Sequence, residues 1–413
     1  MSLTRYFPSP SDRMAIIWSL LPIQDGIVLE YGPAGTTHFG GGLYGSLGFR
    51  MRGRLYTTHI SEDDVVMGDV SRLEKAILEI DAMYAPKVIF VVASAVIAVI
   101  GTDVKGVCTA IQEKVHARLI AFEDGGFRGD YTYGLRAVNK LLIKEFTEKT
   151  GVTEEKSYQI LGASAGSYRI RSDVWELQQL MTEAFGWHCR LVLGLESTTE
   201  QLRTAGQSAL NLVIRTEARD IAETLKKQSG TPYVYGAPYG YEGTLKWLES
   251  ISQVIGQPIN PELRARLEEK IADNAPATMG GPMGMMHRRE PVAVLSGDYD
   301  VIVGLAGAMR EMEVDVACMD CHHSLKAVPN SNGEVTVFPR EKDRLDYFGS
   351  VHHAWVLGDN IISNFCGEDN FYTPVSFPFE GLTQYASHLP IMGEKGMDWL
   401  MEQKNLYFRN CGI

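Results

Sequence analysis

The chain has 413 residues, more than the ~250–300 residues at which a single hydrophobic core stops growing, so two or three domains are expected. Its net charge of -12 excludes the basic footprint that nucleic-acid binding needs, and no basic amphipathic stretch or long apolar segment predicts a membrane contact. Six scattered cysteines, with no signal peptide at the start of the sequence, indicate a cytoplasmic protein with reduced thiols.

Short apolar runs alternate with amphipathic stretches in three successive series. The first predicts strands and helices at Ile27–Tyr31, Asp69–Met83, Val88–Val92, Val104–His116, Arg118–Phe122 and Leu135–Phe146. The second predicts them at Tyr158–Gly162, Asp173–Phe185 (with Asp173 as the N-cap), Cys189–Leu193, Leu210–Ile214, Ile221–Gln228, Tyr233–Tyr235 and Thr244–Ile255. The third predicts them at Pro291–Leu295, Tyr299–Met309, Val314–Ala317 and Ala354–Leu357.

This alternation predicts an α/β protein whose parallel sheets carry helices on both faces. A break near residue 150 and the glycine- and proline-rich stretch 274–284 separate the three series. We therefore expect three doubly wound, Rossmann-like domains around a central cleft, at residues 1–150, 151–285 and 286–413.

Several local segments share a pattern with one protein family. They are Tyr31–Thr37 after the first strand, Asp63–Asp69, Ala95–Val104, Gly126–Gly129, Val292–Asp298 and Met392–Gly396. In this order and at these spacings they resemble the nitrogenase component 1 superfamily, which includes nitrogenase MoFe-protein subunits and light-independent protochlorophyllide reductase subunits. The resemblance extends over most of the chain.

The resemblance implies an oxidoreductase subunit that accepts electrons from an ATP-dependent iron–sulfur reductase. It also implies an iron–sulfur cluster at a subunit interface, and hence a homodimer or a heterodimer with a paralogous subunit. The cofactor-binding and interface positions that it implies are Gly32, Pro33, Gly35, Thr36, His38, Ala95, Gly101 and Asp103.

The sequence departs from the family where the cluster ligands belong. Thr36 and Ala95 stand at positions of ligand cysteines, no cysteine precedes Cys108, and Arg215 lies near the position of the cysteine that anchors the catalytic metallocluster. Iron–sulfur clusters need thiolate ligands, so a second reading is a cluster-free binding or assembly scaffold for a metallocluster, a metal chelate or a tetrapyrrole. An unrelated α/β enzyme, such as a nucleotide-dependent transferase, has little motif support.

Cys318, Cys321 and His322 form the one close cysteine and histidine group, after a strand predicted to end near Ala317. A Cys-x-x-Cys pair with histidine is typical of a metal site or a redox dithiol, but ordinary reduced thiols are the favoured interpretation, because no second pair completes four ligands. His352 and His353 adjoin a strand and point to opposite faces, which disfavours a shared ion.

Two glycine-rich stretches remain open to interpretation. The segment 40–45 fits Gly-x-Gly-x-x-Gly, but a dinucleotide fingerprint follows its strand directly and opens a helix, so a loop over a pocket or an interface, with His38 as its polar group, is the better interpretation. The methionine-rich segment 280–289 is either a domain linker or an apolar lining for a ligand.

Overall fold

The computed structural model describes residues 9–37, 54–148, 153–274, 290–328, 333–376 and 389–411. These residues form three sheets, and every strand pair in them is parallel. We call the stretches that carry them the first unit (9–148), the second unit (153–274) and the third unit (290–411). The predicted α/β class with three doubly wound sheets is confirmed.

The first unit has the strand order β2-β1-β3-β4. Its strands are β1 (Gly26–Tyr31), β2 (Leu55–Thr57), β3 (Val88–Ala93) and β4 (Arg118–Phe122). Its helices are α1 (Asp12–Leu20), α2 (Glu62–Met67), α3 (Ser71–Tyr84), α4 (Ala95–Ile100), α5 (Val104–Ile111) and α6 (Tyr131–Phe146).

The second unit has the order β6-β5-β7-β8. Its strands are β5 (Glu154–Leu161), β6 (His188–Val192), β7 (Ser208–Val213) and β8 (Tyr233–Tyr235). Its helices are α7 (Ile170–Phe185), α8 (Thr199–Arg203), α9 (Arg219–Ser229), α10 (Tyr241–Ile255) and α11 (Pro261–Asn274).

The third unit has the order β11-β10-β9-β12-β13. Its strands are β9 (Val292–Gly297), β10 (Asp315–Cys321), β11 (Val335–Thr336), β12 (Trp355–Gly358) and β13 (Phe371–Pro374). Its helices are α12 (Tyr299–Glu311), α13 (Glu341–Gly349), α14 (Asn360–Ser363) and α15 (Gly393–Cys411).

Apolar side chains cover both faces of the central strands, as expected for parallel sheets. Alternate residues of β1 and β3 pack on opposite faces, so that Leu29 joins a core with α3 and α5, while Val28 and Phe90 join one with α1 and α6. The latter core continues into the second unit through Leu161. A larger core joins the second and third units, but no apolar cluster of the described residues has members in both the first and the third unit.

Most predicted strands and helices lie within a few residues of the observed ones, but some predictions were wrong. Helix α7 begins at Ile170 and not at Asp173, so Asp173 is not its N-cap. Strand β10 continues to Cys321 instead of ending near Ala317, and the strand after Pro86 is followed by helix α4 and not by a simple turn. Eight helices were not predicted from the sequence: α1, α2, α4, α8, α11, α13, α14 and α15.

Among the described residues, no helix combines the length and the apolar character needed to cross a bilayer. The domain boundaries at 150 and 285 stay predictions, because residues 149–152 and 275–289 lie outside the described part of the chain.

Asp173 lies buried inside α7 and anchors the start of the C-terminal segment. Its Oδ1 atom accepts hydrogen bonds from the backbone N–H groups of Ile391 (2.6 Å) and Met392 (3.0 Å). Burial raises the pKa of this carboxyl to about 6, although the two backbone donors oppose the rise. Because the folded pKa lies above the ordinary 3.8, the carboxyl stabilises the fold most below pH 3.8, and that contribution is lost as the pH rises through 6.

We expect Asp173→Asn to be more stable than the wild type at pH 7, by about 2 kcal/mol, because the amide oxygen can still accept both bonds and carries no charge. Urea unfolding at pH 4 and pH 7 measures this, and the difference should shrink at pH 4, where the carboxyl is protonated. The exposed Asp273→Asn is the matched control. If Asp173→Asn changed the free energy of unfolding by the same amount at pH 4 and pH 7, the raised pKa of Asp173 would be contradicted.

Candidate functional site: a polar cleft at the carboxyl ends of the sheets

A cavity of about 260 Å³ lies where the three units meet. The first unit contributes Trp18, Tyr131 and Leu135, the second contributes Ser164, Ser167 and Arg215, and the third contributes Asp298, Asp320, Cys321, His322, Arg344 and Asp359. Most of these residues lie at or just beyond the carboxyl ends of parallel strands or in the loops that follow, which is where α/β sheets place their ligands. The predicted central cleft therefore has a defined polar lining.

One carboxylate, that of Asp298, connects all three units across this cavity. It follows β9 and accepts hydrogen bonds from the Tyr131 hydroxyl of the first unit and from Nη1 of Arg215 in the second. The Arg215 side chain is only 6% exposed. Burial acts to raise the pKa of Asp298, but the charge of Arg215, the neighbouring His323 and the hydrogen bonds from Tyr131 and Arg215 together lower it to about 2. Asp298 is therefore ionised at neutral pH.

Further acidic side chains lie behind this ion pair. Asp300 accepts hydrogen bonds from the Tyr235 hydroxyl (2.5 Å) and from the backbone N–H of Thr216 (2.9 Å). Burial raises the pKa values of both Glu217 and Asp300, and repulsion from Asp300 adds to the rise at Glu217. Protons therefore stay on this pair more readily than on exposed carboxyls, which limits the negative charge around Arg215.

Arg344 occupies the opposite wall and binds two buried aspartates. Its Nε donates to Asp320 (2.7 Å), and its Nη2 donates to Asp359 (2.6 Å) and lies 3.0 Å from Nε2 of His322. The Ser296 hydroxyl lies 2.6 Å from Asp320 and 2.7 Å from the same His322 nitrogen. The guanidinium group thus fills the position between carboxylates and imidazole in which a cation would bind.

The predicted metal group of Cys318, Cys321 and His322 does not assemble. Both cysteines lie within β10 on opposite faces, since Cys321 packs into the core shared by the second and third units and Cys318 packs against the small cluster around Phe348. Nε2 of His322 faces Arg344, and burial together with this cation lowers the His322 pKa. The described residues contain no group of three or more His, Cys, Asp or Glu side chains arranged to hold a metal ion.

The neighbouring histidines have structural contacts. Nε2 of His323 accepts a hydrogen bond from the backbone N–H of Tyr299 (3.1 Å), so that nitrogen is not free to bind a metal. His352 and His353 both lie beside Asp369, away from the cavity lining.

The predicted cofactor-binding and interface positions that the structure describes follow the carboxyl ends of β1 and β3. Gly32 packs so closely on Ser94 that a Cβ at Gly32 would lie 2.4 Å from the serine Cβ. The Ser94 hydroxyl caps α4, in which Ala95 is the first residue, and Gly101 ends that helix in a left-handed conformation. Asp103 then caps α5 by accepting from the backbone N–H of Gly106 (2.7 Å).

The remaining members of this group have local roles or cannot be described. The Thr36 hydroxyl donates to the carbonyl oxygen of Pro33 (2.8 Å), and Gly35 is exposed beside it. His38, the glycine-rich segment 40–45 and the methionine-rich segment 280–289 lie outside the described residues.

These residues do not fit the thiolate-ligated cluster that the resemblance predicts. At the turns, Thr36 offers a hydroxyl already engaged with the backbone and Ala95 offers a methyl group. In the cleft the one lining cysteine is Cys321, and burial raises the pKa of its thiol, so it stays protonated. Arg215, a cation, stands beside the cavity near the position predicted for the anchoring cysteine.

The sequence pointed to the position of Arg215, but sequence reasoning missed the other residues that dominate the cleft, namely Tyr131, Asp298, Asp320, Arg344 and Asp359. A usable signal was present, because Asp298 and Asp359 each come directly after an apolar strand or its terminal glycine. Carboxylates at such positions face the crevice of a doubly wound sheet.

We expect Asp298→Asn to lower the free energy of unfolding at pH 7 by about 3 kcal/mol, because Arg215 would stay buried without its counter-charge. The pKa of Asp298 is depressed in the folded protein. Its contribution to the free energy of unfolding is therefore complete above the ordinary pKa of 3.8 and is lost as the pH falls toward 2. Urea unfolding across this pH range tests the prediction. Glu200→Gln, which removes the exposed pair with Arg203, should change stability little, and equal losses in the two variants would refute the role of burial.

The chain is similar in sequence to curated proteins of nitrogenase and of its cofactor biosynthesis. Over 262 residues the chain is 31% identical to the nitrogenase iron-molybdenum cofactor biosynthesis protein NifE of Nostoc sp., covering 63% of this chain and 53% of that protein. Over 265 residues it is 28% identical to the nitrogenase molybdenum-iron protein alpha chain of Clostridium pasteurianum, covering 62% and 48%. The chain thus spans about half the length of the curated relatives it matches.

A solved structure, "Nitrogenase Cp1 at pH 6.5", superimposes with a TM-score of 0.78 at 18% sequence identity, covering 99% of this chain and 94% of that one, which shows the shared fold. Residues 13–403 match the family described as nitrogenase component 1 type oxidoreductase. The resemblance drawn from the sequence is confirmed, and the chain belongs to the nitrogenase component 1 type oxidoreductase family.

Proposed function

We propose that this chain is a cluster-free binding subunit of a nitrogenase component 1 type assembly, whose central cleft holds a small polar ligand. The observation that carries the proposal is the buried Arg215–Asp298 pair on the cleft wall, close to where the resemblance predicts a thiolate anchor. A fixed guanidinium group repels a metal cation and offers hydrogen-bond donors instead.

The size and polarity of the cavity support the same proposal. Its volume of about 260 Å³ lies just below the ~300–1,000 Å³ of pockets that enclose drug-sized ligands, which favours a small ligand over a tetrapyrrole. Ion pairs on two walls, around Arg215 and Arg344, place donors and acceptors next to each other. Such a lining fits a compact polar molecule with both kinds of group.

We expect protein purified without oxygen to be colourless and to contain iron and sulfide far below cluster stoichiometry. Iron and sulfide assays with a visible absorption spectrum measure this, before and after incubation with ferrous iron and sulfide followed by desalting. A brown protein with cluster stoichiometry would refute the proposal. In that case Cys318→Ser and Cys321→Ser would show whether those thiols had become ligands.

A second candidate function is a reductase subunit that is active only with a partner. It would accept electrons from an ATP-dependent iron–sulfur reductase, with cysteines supplied by a paralogous subunit across the interface. The observation that favours it is a group of exposed apolar side chains beside the retained turns: Val99 is 72% exposed, Phe127 64% and Ile100 44%. Exposed apolar groups beside a site mark protein interaction surfaces.

We expect these side chains to bury against a second subunit. Sedimentation of the wild type should give a mass near twice the 45.8 kDa of one chain, and Val99→Glu should return it to the monomer mass. Val254→Glu, at a similarly exposed position of α10 in the second unit, is the control. A wild-type monomer would exclude the homodimer and leave pairing with a paralogue.

A further inference from the structure

The contacts between the first and third units differ in kind from those that the second unit makes with each of them. The second unit shares one apolar core with the first and another with the third. Between the first and third units, the described residues share no apolar cluster. Buried apolar area is the main force that holds such units together, and within the described residues the boundary between the first and third units has the least of it.

Polar contacts close this boundary, which we call the 1–3 seam. It comprises the Tyr131–Asp298 hydrogen bond, the Ser9 hydroxyl donating to the His322 carbonyl (3.0 Å), the Ser324 N–H donating to Asp130 (2.9 Å), and Arg136 donating to the Ala327 carbonyl (3.2 Å). The ring of Tyr131 also meets that of His323 edge-on, with centroids 5.7 Å apart. Tyr131 therefore makes the most extensive side-chain contact across the seam.

The cavity lies along this seam. Trp18 and Tyr131 line it from the first unit, and Cys321 and Arg344 line it from the third. Separation of the two units about the second would therefore widen the cavity.

We propose that the cleft opens and closes along the 1–3 seam, with the second unit as the fixed support and the Tyr131–Asp298 hydrogen bond as the closing contact. A ligand then enters between the first and third units. This motion is independent of the identity of the ligand and of whether the protein carries a cluster, so its test stands apart from the tests of the proposed function.

Cys321 is a native reporter of the opening. Cys321 is one of the cavity-lining residues and is 2% exposed, so alkylation of its thiol requires the surrounding structure to open. Cys108, which is 4% exposed, packs in the core of the first unit with α3 and α5, away from the seam, and reports general loss of structure. Iodoacetamide labelling of the full chain at pH 8, read by mass spectrometry at each cysteine, separates the two processes.

We expect Tyr131→Phe to speed alkylation of Cys321 roughly tenfold or more, the size that corresponds to losing a hydrogen bond to a charged group, with no change at Cys108. Ser9→Ala, which removes an exposed seam contact and leaves the core intact, should give a smaller increase at Cys321. The control Tyr133→Phe alters an exposed ring on the same helix and should match the wild type.

Two results would overturn the proposal. In one, Cys321 reacts at the wild-type rate in both Tyr131→Phe and Ser9→Ala, which would mean that these contacts do not hold the cleft closed. In the other, Cys108 accelerates by the same factor as Cys321, which would mean that the cysteines become accessible through unfolding and not through separation at the seam.

Discussion

The arrangement of the cleft depends on one carboxylate that three separate parts of the chain must reach. Asp298 belongs to the third unit and binds Tyr131 of the first and Arg215 of the second. A buried carboxylate is costly unless it is paired, and Arg215 needs the same pairing because it is almost fully enclosed. The three sheets are therefore constrained to present their carboxyl ends to a common point. The cavity is the space left around that point.

Internal ion pairs satisfy the charged groups of the lining. Arg344 satisfies Asp320 and Asp359 together, and burial together with the charge of Arg344 beside Nε2 lowers the pKa of His322. On the other wall Arg215 performs the same role for Asp298. Each guanidinium group supplies several donors in a fixed plane, which a hydrated metal ion or a lysine could not do at these positions. The cleft therefore presents a buried guanidinium–carboxylate pair near the position at which the resemblance predicts a thiolate anchor.

The sequence predicted the fold well because parallel strands give long apolar runs and the intervening helices have clear periodicity. It missed α4, whose six residues Ala95–Ile100 are nearly all apolar and continue the preceding strand without a polar face. It also ended β10 too early, since Asp320 and Cys321 do not resemble strand residues. Local pattern cannot reveal that Asp320 is stabilised by Arg344, because that pairing exists only after the sheet has formed.

The site was harder to predict because sequence motifs consist of residues that are close along the chain, whereas the residues of the cleft come from distant segments. Cys318, Cys321 and His322 are close along the chain, but the strand directs the two thiols to opposite faces. Asp298 and its donors are 83 and 167 positions apart in sequence and meet only at the ends of different sheets. In a protein of this architecture the functional constellation is set by which strand ends coincide, so single residues that follow strands carry more information than compact motifs.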